Sequence, residues 1–121
     1  MRIMFTAPLF TLIQEAGESV LLLVEDLQEP EFLRSRLTRA EVLRQLGTMA
    51  DTLAALPEAA RAAMPEVDWE GWCGTALALG GGEGAARDDA AWFAARSLVP
   101  ATLSWMRLYR HSEPVLFDDQ P

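Results

Sequence analysis

Few side chains in this chain are equipped for chemistry, and their types narrow it quickly. The stretch Leu79 to Arg87, LGGGEGAAR, places four glycines within five positions. Its frame Gly80-x-Gly82-x-x-Ala85 has the outline of a dinucleotide fingerprint, in which glycines admit a pyrophosphate and the next helix offers its N–H groups. All ten basic residues are arginine, so no lysine can reach β- and γ-phosphates and a Walker-type loop is excluded. Arg34, Arg36, Arg39 and Arg44 form a candidate basic strip suited to RNA phosphates or an acidic partner. Glu83, Asp88 and Asp89 make an acidic rim after the glycines. Carboxylates can hold a hard cation, but beside a helix start they read more simply as a cap and a solvated edge, and no metal is assigned. Asp51 reads equally as a polar contact near the core or as a solvated residue. His111, the sole histidine, falls on a terminal segment with a packing or solvent-facing role. Cys73, beside Trp72, reads as a small core residue. A single cysteine allows no intramolecular disulfide and no cysteine-rich zinc site, which suits a reducing cytosol.

These groups must be positioned by 121 residues, half of them apolar, enough for one domain with a real core and too few for two. The net charge of −8 opposes generic binding to nucleic acid or an anionic membrane. Contact with RNA would need a local cluster of arginines. The opening MRIMFTAPLFTLI carries one arginine, a proline and no small-residue cleavage pattern, a poor match to a secretory signal. The apolar run Val20 to Val24 is too short to span a bilayer. The expectation is a cytoplasmic protein with no membrane segment and no cofactor.

Phe10, Ile13, Gly17, Val20, Val24 and Leu27 recur at spacings of three and four, one face of a helix from about Pro8 to Gln28. Glu29-Pro30-Glu31 interrupts it. Thr38 and Glu41 are placed as a capping box opening a second helix with the stripe Val42, Leu46, Met49, Leu53 and Leu56. Pro57 ends that helix and starts a short one, PEAARAAM, which Pro65 breaks. Asp68 caps a third helix carrying Trp69 and Trp72, and the glycines stop it near Gly80, each costing ~1 kcal/mol against alanine in a helix. Asp88 and Asp89 then cap a last helix with Trp92, Ala95, Val99, Leu103 and Met106 on one face, kinked at Pro100. Trp69, Trp72, Trp92 and Trp105 read as core, with one or two lining a dimer interface. Period-two alternation is absent. The expected fold is all-α, an antiparallel four-helix up-and-down bundle with a short extra helix and an extended tail over 111–121. The dinucleotide reading then fails, because that fingerprint has meaning only between a strand and a helix.

The segment from Phe32 to Tyr109 resembles the HepT-like branch of the HEPN proteins. The resemblance rests on FLRSRLTRAEVLRQLGTMADTLAALPEAARAAMPEVDWEGW, similar to the family's second helix followed by proline, acidic residue, aliphatic residue, any residue and tryptophan at Pro65 to Trp69. AWFAARSLVPATL is similar to the family's tryptophan with a proline eight residues later, here Trp92 and Pro100, and Trp92 follows Trp69 by the family's 23 positions. The resemblance implies a small, generally homodimeric helical protein, related to toxin ribonucleases encoded beside a minimal nucleotidyltransferase antitoxin.

Active members carry an arginine, four residues, a histidine, any residue and a tyrosine. Laid on this chain without gaps, those positions are Ala76, Gly81 and Glu83. Metal-independent RNA cleavage needs a group that moves a proton near neutral pH and a cation for the phosphorane, and alanine and glycine supply neither. The family tyrosine also accepts AMP, which Glu83, lacking a hydroxyl, would not. The resemblance therefore implies a non-catalytic binding or regulatory module, with Arg87, Asp88 and Asp51 as the contacts left in the emptied cleft. Two other readings stand beside it: an active ribonuclease toxin using arginines supplied elsewhere in the dimer, and the substrate-binding subunit of a minimal nucleotidyltransferase.

Overall fold

The structure, a computed structural model, describes residues 6–114. The described chain is all-helical. It runs α1 (Thr6–Val24), α2 (Glu29–Arg34), α3 (Arg36–Ala55), α4 (Glu58–Ala62), α5 (Trp69–Leu79) and α6 (Ala85–Phe93), then a π-helical turn (Ala94–Leu98) leading into α7 (Val99–Ser112).

The expected stripes are the buried faces. Phe10, Ile13, Val20 and Val24 of α1 pack chiefly against α3, whose Val42, Leu46, Met49 and Leu53 are buried in turn. Each such side chain removed from water contributes roughly 1.5–3 kcal/mol. α7 closes the same core with Val99, Leu103 and Met106. At Gly17 the two helices come so near that a Cβ there would stand 2.9 Å from both methyls of Leu103. α1 is long and apolar enough, by length and composition, to cross a membrane, although the run Val20 to Val24 alone is not. Glu15 and Glu18 stand exposed on the helix, and its apolar stripe is the one packed on α3.

Local chemistry departs from the expected boundaries at several places. The first helix is already present at Thr6, the first described residue, two before the expected Pro8, and it stops at Val24, four short of Gln28. Arg96 reaches back to the carbonyl of Val24 at 3.5 Å while lying over the Trp92 ring, 5.4 Å from its centroid. Glu29-Pro30-Glu31 does not simply interrupt. It opens the short helix α2, because a proline in the first helical turn forfeits no helical hydrogen bond and Glu31 accepts from the Gln28 N–H at 2.8 Å. The capping box expected at Thr38 and Glu41 does not form. Ser35 breaks the path between α2 and α3, so α3 starts at Arg36, and Thr38 sits inside it, accepting from the Ser35 hydroxyl at 2.8 Å. Asp68 does cap α5, accepting from the Gly71 N–H at 2.8 Å.

The glycine stretch is a turn with two positions that require glycine. α5 ends at Leu79, and the chain turns through Gly82 (φ 89°) and Gly84 (φ 148°), conformations that a Cβ strongly disfavours. Gly84 occupies the cap of α6, so Asp88 and Asp89 are not the caps expected of them; both lie within the helix. Pro100 does not sit in the middle of an ordinary helix. It lies in the first turn of α7, just after the π turn, where the widened ladder accommodates the missing N–H and the ring's pressure on the carbonyl four residues back. The expected extended tail also starts later, since His111 and Ser112 complete α7. Residues 115–121 of that tail, and residues 1–5 of the N-terminal apolar stretch, lie outside the described residues.

Candidate functional site

A cleft opens where α3, α5 and α6 meet. Leu43, Gly47 and Ala50 of α3 form one wall of a cavity of about 320 Å³, and Ala76, Leu79 and Gly80 at the end of α5 form the other. Small residues make the room. A Cβ on Gly47 would meet nothing within 4 Å. Two charged side chains complete the lining, Asp51 from α3 and Arg87 from α6. The groove continues along α3 and α5 into a second cavity of about 330 Å³, which shares Ala50 and Ala76 and is bounded by Trp69, Trp72 and Cys73.

Arg87 and Asp88 are neighbours on the first turn and a half of α6, and both side chains are mostly covered. Asp88 lies between two guanidinium groups, 3.7 Å from Arg39 Nε and 3.8 Å from Arg87 Nε. Both separations are ion pairs too long for hydrogen bonds. Arg87 Nε and Asp88 Oδ1 are thus buried with no hydrogen-bond partner. Leaving such groups unmade costs roughly 1–3 kcal/mol each, which the ion pairs among Arg39, Asp88 and Arg87 partly offset.

Of the candidate residues, Asp51, Ala76 and Arg87 come together on this cavity. Asp88 stands behind Arg87, between it and α3. Gly81 and Glu83 lie in the exposed turn between α5 and α6, apart from the cavity lining, and Asp89 faces solvent. The basic strip is divided. Arg34 and Arg36 are exposed, Arg39 turns inward to Asp88 and donates to the Leu33 carbonyl, and Arg44 is held by Glu41. That last pair is bidentate, Nε to Oε1 at 3.0 Å and Nη2 to Oε2 at 2.6 Å, with Gln45 donating to Oε2 at 2.9 Å. Hydrogen bonds from Arg44 and then Gln45 bring the Glu41 carboxyl from its ordinary 4.5 down to about 2, and the same contact raises Arg44.

Cys73 is not a core residue. It is exposed on α5, because Trp72 and Thr75 take the inward positions of that turn and Cys73 is rotated away from them. Among the tryptophans only Trp72 is fully buried, donating to Thr102 Oγ1 at 2.9 Å across α5 and α7; Trp69, Trp92 and Trp105 are partly covered. Trp69 donates to the Met64 carbonyl at 3.0 Å and so fastens the chain after α4. His111 is exposed at the end of α7 in a shallow surface formed with Ser104, Arg107 and Leu108, well separated in the chain from the cleft.

The residues missed by sequence reading are Leu43, Gly47, Ala50 and Leu79. Gly47 carried a signal: a glycine in mid-helix, unfavourable by ~1 kcal/mol, with no turn to justify it. Leu43 and Leu79 had none, since each looks like one more apolar residue beside a stripe.

No protein-family model, curated protein or solved structure matches the chain.

Proposed function

We propose that this chain is a catalytically degenerate HepT-like HEPN protein, a homodimeric binding or regulatory module of the cytoplasm derived from a toxin–antitoxin ribonuclease. The all-helical chain supports this reading, in which the long segments α1, α3, α5 and α6 with its continuation into α7 would serve as the four helices of an antiparallel up-and-down bundle, with α2 and α4 as short additions. The observation that carries the non-catalytic reading is the lining of the α3–α5–α6 cleft. Ala76 stands on its wall where the resemblance puts an arginine, and the residues around the cavity include no histidine or tyrosine. A proton-transfer group near neutral pH is what such cleavage requires. The cleft instead offers aliphatic walls with one anion and one cation, a composition suited to holding a ligand without transforming it.

Purified protein incubated with structured and single-stranded RNA is expected to leave both intact, and its overexpression to leave growth unchanged. RNA cleavage abolished by Arg87→Ala would overturn the reading in favour of an active nuclease that uses this arginine. Light scattering is expected to return twice the chain mass at micromolar concentration. A single-chain mass would remove the dimer. Co-purification of a minimal nucleotidyltransferase would identify the partner that the resemblance implies.

A further inference from the structure

The ligand of the cleft can be narrowed by its charge balance. Four charged groups stand around it, Asp51 and Arg87 on the cavity itself and Arg39 and Asp88 immediately behind. They sum to zero. A bare polyanion such as phosphate would gain Arg87 but lie among two carboxylates, and a simple cation would meet the mirror-image problem. A plain hydrocarbon would cover Asp51 and Arg87 without pairing either, which costs more than the apolar contact returns. The remaining chemistry is a small molecule that brings one charge of each sign beside an aliphatic body.

Arg87 is poised for the anionic half. Its side chain lines the cavity, and its covered Nε meets Asp88 only at 3.8 Å with no hydrogen bond, so no strong internal pair competes with a ligand for the guanidinium. A carboxylate gives a guanidinium the planar, charge-assisted acceptor that Asp88 does not. Asp51, exposed on α3 at the cavity's edge, is an acceptor for an ammonium group. Leu43 and Leu79 line the same cavity with aliphatic surface.

We propose that the α3–α5–α6 cleft binds a small aliphatic α-amino acid, its carboxylate on Arg87, its ammonium on Asp51 and its side chain between Leu43 and Leu79. The proposal rests on the reading of this cleft as a non-catalytic binding site.

Isothermal titration and thermal denaturation of the full chain with four probes test it: L-leucine, N-acetyl-L-leucine without the ammonium, L-leucinamide without the carboxylate, and inorganic phosphate. Saturable binding of L-leucine is expected with a Kd of ~1 mM or tighter, with a rise in Tm that follows ligand concentration. Each of the other three probes should bind at least about tenfold more weakly, and Arg87→Lys and Asp51→Asn should weaken L-leucine to a similar degree. Gly47→Leu fills the cavity from an open position and should keep the parent's helicity, with a Tm no lower than the parent's, while abolishing binding. Absence of L-leucine binding, equal binding of N-acetyl-L-leucine, L-leucinamide or phosphate, or undiminished binding by Gly47→Leu would each overturn the proposal. RNA cleavage by the same preparation would instead defeat the non-catalytic reading, so the two failures are told apart by separate readouts.

Discussion

The α1–α3–α7 core and the α3–α5–α6 cleft share a helix and differ in almost everything else. On one side, α3 presents Val42, Leu46, Met49 and Leu53, all essentially inaccessible, to α1 and its neighbours. On the other, Gly47 and Asp51 border the cavity, with the buried Ala50 at its floor. The contrast is sharpest at two glycines. Gly17 allows α1 and α7 to touch, with no room for a methyl group, whereas Gly47 allows nothing to touch. Mid-helix glycine costs stability in both places, and only at Gly17 does closer packing answer for it. Polar groups follow the same division. Trp72 and Thr102 pair inside the core, while the Arg87 Nε and Asp88 Oδ1 atoms beside the cleft are buried without a hydrogen-bond partner. A region that is packed and satisfied stabilises the fold, and one that is roomy and unsatisfied is where a ligand can bring net gain.

The comparison can be broken most severely from the packed side. Phe32 is fully buried and lies against Trp92, with ring centroids 5.1 Å apart, joining α2 to α6. Phe32→Ala is expected to cost about 3–5 kcal/mol, read as a lowered urea midpoint with an unchanged m-value. Next comes one substitution made at both glycines. Gly17→Leu should cost about 1–3 kcal/mol through overpacking against Leu103, and Gly47→Leu should gain up to about 1 kcal/mol from helix propensity; equal effects in denaturation would erase the distinction between the two regions. Trp72→Phe leaves the Thr102 hydroxyl buried and unpaired, a loss of about 1–3 kcal/mol. Adding Thr102→Val to that variant should recover part of the loss, measured as a double-mutant cycle.

The smallest effect concerns the exposed face of α3, outside both regions. Glu41 has a folded-state pKa depressed from 4.5 to about 2. Its pair with Arg44 therefore contributes fully above the unfolded value and is lost as pH falls through about 2. The stability difference between the parent and Glu41→Gln should be constant above pH 4.5 and shrink between there and 2. Urea midpoints collected across that range check the sign.

Much of this was legible in residue order. Helix faces follow from spacings of three and four, so the buried positions of α1, α3 and α7 were readable before any packing was known. Asp68 announced the start of α5, and the glycines after Leu79 announced its end. Boundaries were harder where two signals competed. Thr38 and Glu41 have the spacing of a capping box, but Ser35 lies three residues earlier and Arg44 lies three residues beyond Glu41, and both local partners prevailed. Pro100 reads as a breaker until the π turn before it is seen. Cys73 reads as core by composition, yet its azimuth on α5, one residue after Trp72, decides its exposure.

The candidate site was legible only in part. Asp51, Ala76 and Arg87 could be named from a resemblance, but their meeting on one cavity depends on how α3, α5 and α6 are set against each other. Gly81 and Glu83 were named on the same grounds and fall in the turn outside it, because positive φ at Gly82 and Gly84 directs the chain away.

By itself the sequence determined the helical periodicity, the acidic balance, the absence of lysine and the single cysteine, since these are properties of residue type and spacing. Tertiary structure decided which side of α3 is packed and which is open. It also decided that Asp88 stands between Arg39 and Arg87 rather than capping a helix. The reason is physical: a hydrophobic stripe is written in one helix, whereas a cavity and a buried charge contact exist only between helices.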